Sequence, residues 1–309
     1  MRPAASIVLF TTIAGAAQGV AVALAVATLA GRAPLGALPT MLGVVVVMLV
    51  GALVASFFHL GHPLRAWRAV LMWRTSWMSR EVIALPVFIA IVAAWCFLSA
   101  TAPGHPANQL LAWLVIVGAG LLWYCTAMIY ACIRFIQEWA HPLTIVNYTT
   151  LGLASGLVLC GALAIILGER DFAQAIGAWA AAAIALAWFT RTLSLRRNAK
   201  LKPASTVQSA TGINATRIVQ KSMGMTGGSF NTREFFHGAS MAAFRMARVS
   251  FQVLAFGLPL LLLAWAVVGE SGAAWLLAFL CQALGLLIER WFFFAQARHP
   301  QNIYYQVVS

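Results

Sequence analysis

The chain has 309 residues, of which 62% are hydrophobic and 9% are charged, and its mean hydropathy is +0.88. Soluble domains carry roughly a quarter charged residues, so this composition excludes an ordinary soluble domain and indicates an integral membrane protein. The formal net charge is +13, because 20 Lys and Arg residues stand against 7 acidic residues.

Eight apolar runs follow one another along the chain, each close to the ~20 residues that a helix needs to cross ~30 Å of hydrocarbon. None shows the alternation of outer-membrane strands, which leaves helices as the spanning elements. The first run exceeds the roughly 7–15 apolar residues of a secretory signal, so we interpret it as a span. We predict an all-α polytopic membrane protein, with residues 1–309 forming a single membrane domain and spans at 6–30, 39–60, 81–100, 109–132, 148–168, 172–190, 250–268 and 272–294.

The Lys and Arg residues are distributed unequally between the two sides of the membrane. All of them except Arg32 and Arg170 fall on the side that holds both termini and the connections after the second, fourth and sixth spans. The positive-inside rule therefore predicts that both termini are cytoplasmic. Contact of this side with anionic membrane lipid accounts for the net charge, and no nucleic-acid partner is needed to explain it.

Cysteine and histidine positions argue against a redox centre in the chain itself. The five cysteines are scattered and form no CxxC pair, so they do not suit an iron–sulfur cluster. The histidines lie at the end of the second span, in loops or in the tail, and offer no facing pair of haem ligands. We expect no haem, no iron–sulfur cluster and no catalytic metal in this chain.

Residues 59–81, HLGHPLRAWRAVLMWRTSWMSRE, separate the second span from the third. The part at 62–80 is too polar to span and mixes Trp with Arg, which predicts a segment in the headgroup region; Trp belts and snorkelling Arg side chains are also common as simple anchors. His59 and Glu81 bracket this segment at one depth, where an ionisable group is functional or paired by default. A His and a Glu in a partly apolar pocket can exchange protons, as quinone chemistry requires. Alternatively, Ser79 caps the third span and Glu81 only occupies its favourable first turn.

The string HLGHPLRA, followed by SRE at the next span, resembles the anchor subunit of dimethyl sulfoxide reductases, the DmsC family. More distantly it resembles the eight-helix, quinone-reactive anchors of the polysulfide reductase type. The resemblance implies a quinone-reactive subunit of a bacterial inner-membrane oxidoreductase, which binds ubiquinone or menaquinone through His59 and Glu81. It also implies two partners, an iron–sulfur electron-transfer subunit and a molybdenum cofactor catalytic subunit. Arg65 would position a quinone carbonyl or hold the charge of the His59–Glu81 pair. His62, where relatives often carry a small polar residue, is either a second proton-handling group or an interfacial histidine.

Residues 191–249 form a predicted long cytoplasmic loop that carries ten Lys and Arg residues and one acidic residue. Two interpretations remain open for it: a basic linker on the lipid surface, and a docking arm for an electron-transfer subunit whose surface is acidic. Arg134 and Glu138 follow the fourth span and would form an i, i+4 ion pair or line a pocket. Glu289 and Arg290 would continue a proton path from Glu81 or form an interfacial pair.

Two functions of other classes also remain open. A transporter or channel would place charges deep in its spans, and the sequence shows no strongly polar cluster there, although Gln18 and Gln282 are polar residues within spans that such a function could use. A purely structural anchor would need no chemistry at all.

Overall fold

A computed structural model describes residues 2–58, 62–219, 221 and 237–304. Within these residues, eight helices are long and apolar enough to cross a membrane, which confirms the predicted all-α polytopic architecture. The helices are α1 (Ala5–Leu29), α2 (Leu38–Phe57), α3 (Trp77–Thr101), α4 (Ala107–Ala131), α5 (Pro142–Ile166), α6 (Arg170–Ala199), the short α7 (Val207–Thr211), α8 (Met241–Gln252), α9 (Leu258–Val268) and α10 (Gly272–Ala295). Helices α8 and α9 together form the seventh span.

The helices of the sixth and seventh spans extend beyond the apolar runs that predicted them. Helix α6 has 30 residues rather than ending at residue 190, and the seventh span begins at Met241 rather than at residue 250. At 1.5 Å per residue, α6 is about 45 Å long, which exceeds the ~30 Å hydrocarbon core. Arg196 and Arg197 lie in its last turn, where cations favour the negative end of the helix dipole. The connection between the two spans therefore covers residues 200–240.

A 3-10 helix, Pro63–Met72, precedes α3 and exposes both apolar and cationic side chains. Leu64 is 94% exposed and Trp67 is 65% exposed. Close to the start of α3, the guanidinium of Arg80 lies 4.0 Å from the ring centroid of Trp77, and its Nε donates to the Trp73 carbonyl at 2.9 Å. This surface suits the headgroup region predicted for residues 62–80.

Helices α1 and α5 approach each other through small residues. The motifs GAAQG at 15–19 and GLASG at 152–156 lie at this crossing. A Cβ on Gly156 would collide with the backbone of Gly19, and a Cβ on Gly19 would collide with the carbonyl oxygen of Gly152. The absence of side chains at these positions thus lets the two backbones touch, as small-xxx-small motifs do in membranes.

Between α8 and α9 the chain forms a π-helical turn, Val253–Gly257. Helix α10 comes close to it at Gly285, where a Cβ would collide with the backbone of Leu254 and Ala255. One turn earlier on α10, the Gln282 amide donates to the Ala255 carbonyl at 3.4 Å. The wider turn thus gains a hydrogen bond from the neighbouring helix.

Candidate functional site

The candidate site lies at the end of the bundle where both chain termini emerge, which we call the termini side. On this side α1, α3, α5 and α8 begin, and α2, α4, α6 and α10 end. Several buried polar side chains lie within about three helical turns of these ends. They come from α3, α4, α5, α6 and α10, and together they form what we call the polar layer: Glu81, Thr126, Tyr130, Tyr148, Arg191, Glu289 and Arg290.

Glu81 projects from the second turn of α3 into the bundle. The N-cap of α3 is Ser76, whose hydroxyl accepts the N–H of Ser79 at 3.4 Å. The alternative in which Ser79 caps the helix and Glu81 occupies its first turn is therefore wrong. The Glu81 side chain is buried, and its Oε1 accepts a hydrogen bond from the Thr126 hydroxyl of α4. Burial and a partner on another helix distinguish Glu81 from an acid that merely stabilises a helix end.

The second carboxylate oxygen of Glu81 makes no hydrogen bond within the described part of the chain. One turn earlier on α3, Trp77 packs edge-on against Tyr124, with ring centroids 5.3 Å apart. A buried carboxyl group that is anchored through one oxygen can exchange a proton with a bound molecule through the other oxygen.

Two buried tyrosines, one from α4 and one from α5, belong to the polar layer beside Thr126. Tyr130 follows Thr126 by one turn of α4 and therefore shares its face. Its ring stacks on that of Tyr148 from α5, with centroids 5.8 Å apart and planes 14° apart.

An ion triad completes the polar layer. Glu289 is 0% exposed and lies between two guanidinium groups: Arg191 Nε is 2.6 Å from its Oε1, and Arg290 Nε is 2.8 Å from its Oε2. The Arg290 guanidinium also lies 4.4 Å from the ring centroid of Tyr148. Two cations and one carboxylate give the triad a net positive charge, and the chain of contacts through the tyrosines leads towards the second carboxylate, Glu81.

The structure places the site residues that were predicted from the sequence in different positions. Glu81 lies in the polar layer. His62 and Arg65 are both exposed on the segment before α3, and the structure does not bring them into a hydrogen bond or an ion pair with Glu81. His59 lies outside the described residues. Sequence analysis singled out Glu289 and Arg290 but missed Thr126, Tyr148 and Arg191.

Arg191 could have been found from its periodicity. The buried positions of α6 include Ala180, Ile184, Ala187 and Arg191, which repeat every three or four residues and continue one helical face past the charged residue. Thr126 and Tyr148 give no comparable signal, because hydroxyl and phenol groups are tolerated in many membrane helices. The described part of the chain contains no group of three or more His, Cys, Asp or Glu residues that could hold a metal ion.

Comparison with known proteins identifies the family of the chain. Residues 1–296 match the family model described as the DMSO reductase anchor subunit, DmsC. The chain belongs to the DmsC family. It is also 44% identical to the C subunit of sulfite dehydrogenase from Allochromatium vinosum, over an alignment of 328 residues that covers 100% of both chains. The resemblance carried by HLGHPLRA and SRE is thereby confirmed.

DmsC membership explains the overall plan of the molecule. A multi-pass bundle of eight spans is the architecture expected of a membrane anchor subunit, which holds catalytic and electron-transfer partners of an oxidoreductase complex at the membrane. Within the polar layer, the charges of the ion triad are paired with one another, as buried charges in a membrane need to be, whereas Glu81 accepts a hydrogen bond from a hydroxyl group.

Proposed function

We propose that this chain is the quinone-reactive membrane anchor of a multi-subunit molybdenum oxidoreductase, and that it couples the quinone pool to an iron–sulfur subunit. The observation that carries the proposal is Glu81, a carboxyl group buried inside a span, held by Thr126 and backed by further polar side chains. Membership of the DmsC family supports the anchor role.

In this proposal a bound quinone supplies two-electron chemistry that is coupled to two protons. Glu81 exchanges a proton with the quinone through one carboxylate oxygen, while Thr126 fixes the other oxygen. Trp77, which precedes Glu81 by one turn of α3, packs edge-on against Tyr124, and these two rings would form an aromatic wall of the quinone site. We assign a second proton-handling role to His59, and we place His62 and Arg65 at the aqueous entrance, since both are exposed. The chain contributes no redox metal in this proposal, so the electrons pass through the partners.

The sulfite dehydrogenase relative points to a substrate for the catalytic partner. Because the chain is 44% identical to that relative over both full lengths, we infer that the complex oxidises sulfite. Sulfite, water and a quinone would then yield sulfate and a quinol, with the two electrons moving from sulfur to the quinone. The two hydrogens of the quinol balance those of the water.

A transporter is less well supported than an anchor. Gln18 and Gln282 are the polar span residues that a transporter could use. The Gln18 amide donates to the Ala14 carbonyl of its own helix at 3.0 Å. The Gln282 amide donates to the π-helical turn. The amide N–H groups of both side chains therefore bind carbonyl groups of helices, as polar side chains within membrane helices commonly do.

Replacement of Glu81 by Gln tests the proposal against a purely structural anchor. Loss of a positioned proton carrier is expected to slow sulfite-dependent quinone reduction about 100-fold, because general acid–base catalysis contributes roughly 10²–10⁴. The measurement is turnover in isolated membranes, together with the amounts of copurifying subunits. The Glu270→Gln variant, at an exposed position on the opposite side, is the control and should keep full turnover. Full turnover in Glu81→Gln would leave only the structural role.

A further inference from the structure

A cleft of about 300 Å³ opens on the termini side of the molecule. Three chain segments line it: residues 135–138 between α4 and α5, residues 198–205 at and after the end of α6, and residues 298–303 after α10. All but one of the lining positions, Asn198 in the last turn of α6, follow or precede the spanning helices. The cleft therefore faces the aqueous side of the headgroup region, where a soluble protein can reach it.

Hydrogen bonds between the three segments form the cleft in advance of any ligand. The Arg197 guanidinium donates to the Gln137 carbonyl at 3.0 Å, and the Arg298 N–H donates to Glu138 Oε2 at 3.3 Å. Below them, the Trp139 indole N–H donates to the Phe293 carbonyl at 3.1 Å. A preformed cleft reduces the conformational entropy that a partner loses on binding.

The charge around the cleft is almost entirely positive. One acid lines it, Glu138, whose Oε2 accepts the backbone N–H of Arg298. Burial lowers the pKa of the His299 imidazole, so this group adds no charge at neutral pH. The cations on the three segments and next to them are exposed to solvent: Arg134, Arg196, Lys200, Lys202 and Arg298.

Beneath the cleft, Trp139 contacts a residue of the polar layer. Trp139 follows Glu138 in the chain, and its ring lies 5.3 Å from that of Tyr130, centroid to centroid. Tyr130 lies one turn from Thr126, which holds Glu81. A protein seated in the cleft is thus placed on the same side of the bundle as Glu81, and Trp139, Tyr130 and Thr126 lie between them.

We propose that this cleft is the docking site for an acidic segment of the electron-transfer subunit, a proposal that rests on the proposed function. The cations would pair with Asp and Glu side chains of that segment, and the apolar part of the lining, which includes Phe135, Leu201 and Ile303, would bury one of its apolar side chains. Anionic lipid headgroups share the charge preference, but they supply no apolar side chain for a cleft that lies beyond the helix ends.

Charge reversal tests the electrostatic part of this docking. The triple variant Lys200→Glu, Lys202→Glu, Arg298→Glu is expressed beside the matched control Arg32→Glu, Arg170→Glu, whose two exposed cations lie on the opposite side. Each complex is purified in mild detergent from membranes that contain all its subunits, and the electron-transfer subunit is quantified per anchor chain. The triple variant should retain at least tenfold less of that subunit, while the control retains the wild-type amount.

A photo-crosslinking amino acid at Ser205, in an otherwise wild-type chain, tests the occupant without depending on the stability of the triple variant. The proposal expects a crosslink to the electron-transfer subunit, and none from the same amino acid at position 270 on the opposite side. Crosslinks to lipid or to this chain alone, or full retention of the subunit by the triple variant, would overturn the docking site. If the wild-type complex contains no electron-transfer subunit, the proposed function fails together with the docking site.

Discussion

At the scale of single residues, Glu289 holds two buried cations in place. Its carboxylate is within 2.8 Å of both Arg191 and Arg290, and none of the three side chains is exposed to solvent. Breaking a buried ion pair typically costs about 3–5 kcal/mol, because an uncompensated charge remains buried. We expect Glu289→Gln to destabilise the protein by about this amount, which thermal unfolding in detergent would show as a lower midpoint. Glu270→Gln should leave the midpoint unchanged, and an unchanged midpoint in Glu289→Gln would contradict a structural role for the triad.

The residues of the polar layer differ in how readily they can be identified from the sequence. Glu81 and Glu289 are conspicuous because an acid within or beside an apolar run is costly. Arg191 escapes notice because it follows the sixth apolar run, where cations are usual, and only its partner on α10 makes burial possible. Glu81 also lies deeper than capping rules suggest, since the helix begins at Trp77 instead of near Ser79.

At the scale of secondary structure elements, the crossing of α1 and α5 depends on glycine. A methyl group at position 156 would meet the backbone of Gly19, so the helices would have to separate. We expect Gly156→Ala to cost about 1–3 kcal/mol, the usual range for overpacking, again measured as a thermal midpoint in detergent. Gly51 on α2 is a matched control because a Cβ there meets no atom within 4 Å. Equal midpoints for the two variants would show that the crossing tolerates a wider separation.

The start of α5 contains a pH-sensitive cap. His141 is the N-cap residue, and its Nδ1 accepts the N–H of Leu143 at 3.1 Å. Burial, and then the nearby Arg197, lower the pKa of His141 below its usual value of 6.5. The unfolded chain therefore binds this proton more readily than the folded one. The contribution of His141 to stability is complete above pH 6.5, falls as the pH drops through that value, and levels off below the folded pKa.

Replacement of His141 by Asn should keep the cap and remove this part of the pH dependence. The measurement is the thermal midpoint of the two proteins between about pH 5 and 8, where the wild type should lose more stability on acidification than the variant. Parallel curves would show that the cap does not respond to protonation. For Arg134 and Glu138 the structure decides between the two predicted alternatives: α4 ends at Ala131 and no i, i+4 ion pair forms between them, but Glu138 lines the cleft.

At the scale of the whole molecule, hydropathy predicts the eight spans well, because crossing hydrocarbon imposes length and composition on every helix. It predicts helix ends poorly where a helix continues beyond the hydrocarbon. Helix α6 runs to Ala199 through charged residues, and its projecting end helps to build the cleft. The arrangement of the cleft could not be predicted, since it depends on three segments that are far apart in the sequence.

The unequal distribution of Lys and Arg residues between the two sides of the bundle predicts how the protein is oriented in the membrane. Arg191 and Arg290 are buried in the ion triad, but the other Lys and Arg residues of the described part of the chain lie on the termini side, apart from Arg32 and Arg170. We therefore expect the termini side to face the cytoplasm of a bacterial inner membrane. Cys132 reports on this directly, because it lies just after α4 on the termini side and is exposed.

A membrane-impermeant thiol reagent should label Cys132 in inside-out vesicles and not in intact spheroplasts. Cys132→Ser removes the signal and controls for the other four cysteines, which are buried or only partly exposed. Adding Glu270→Cys to that variant places an exposed thiol on the opposite side, where labelling should occur in spheroplasts instead. The reverse pattern for both positions would show the opposite orientation. The polar layer, the cleft and the partner subunits would then lie on the outer side of the cell membrane.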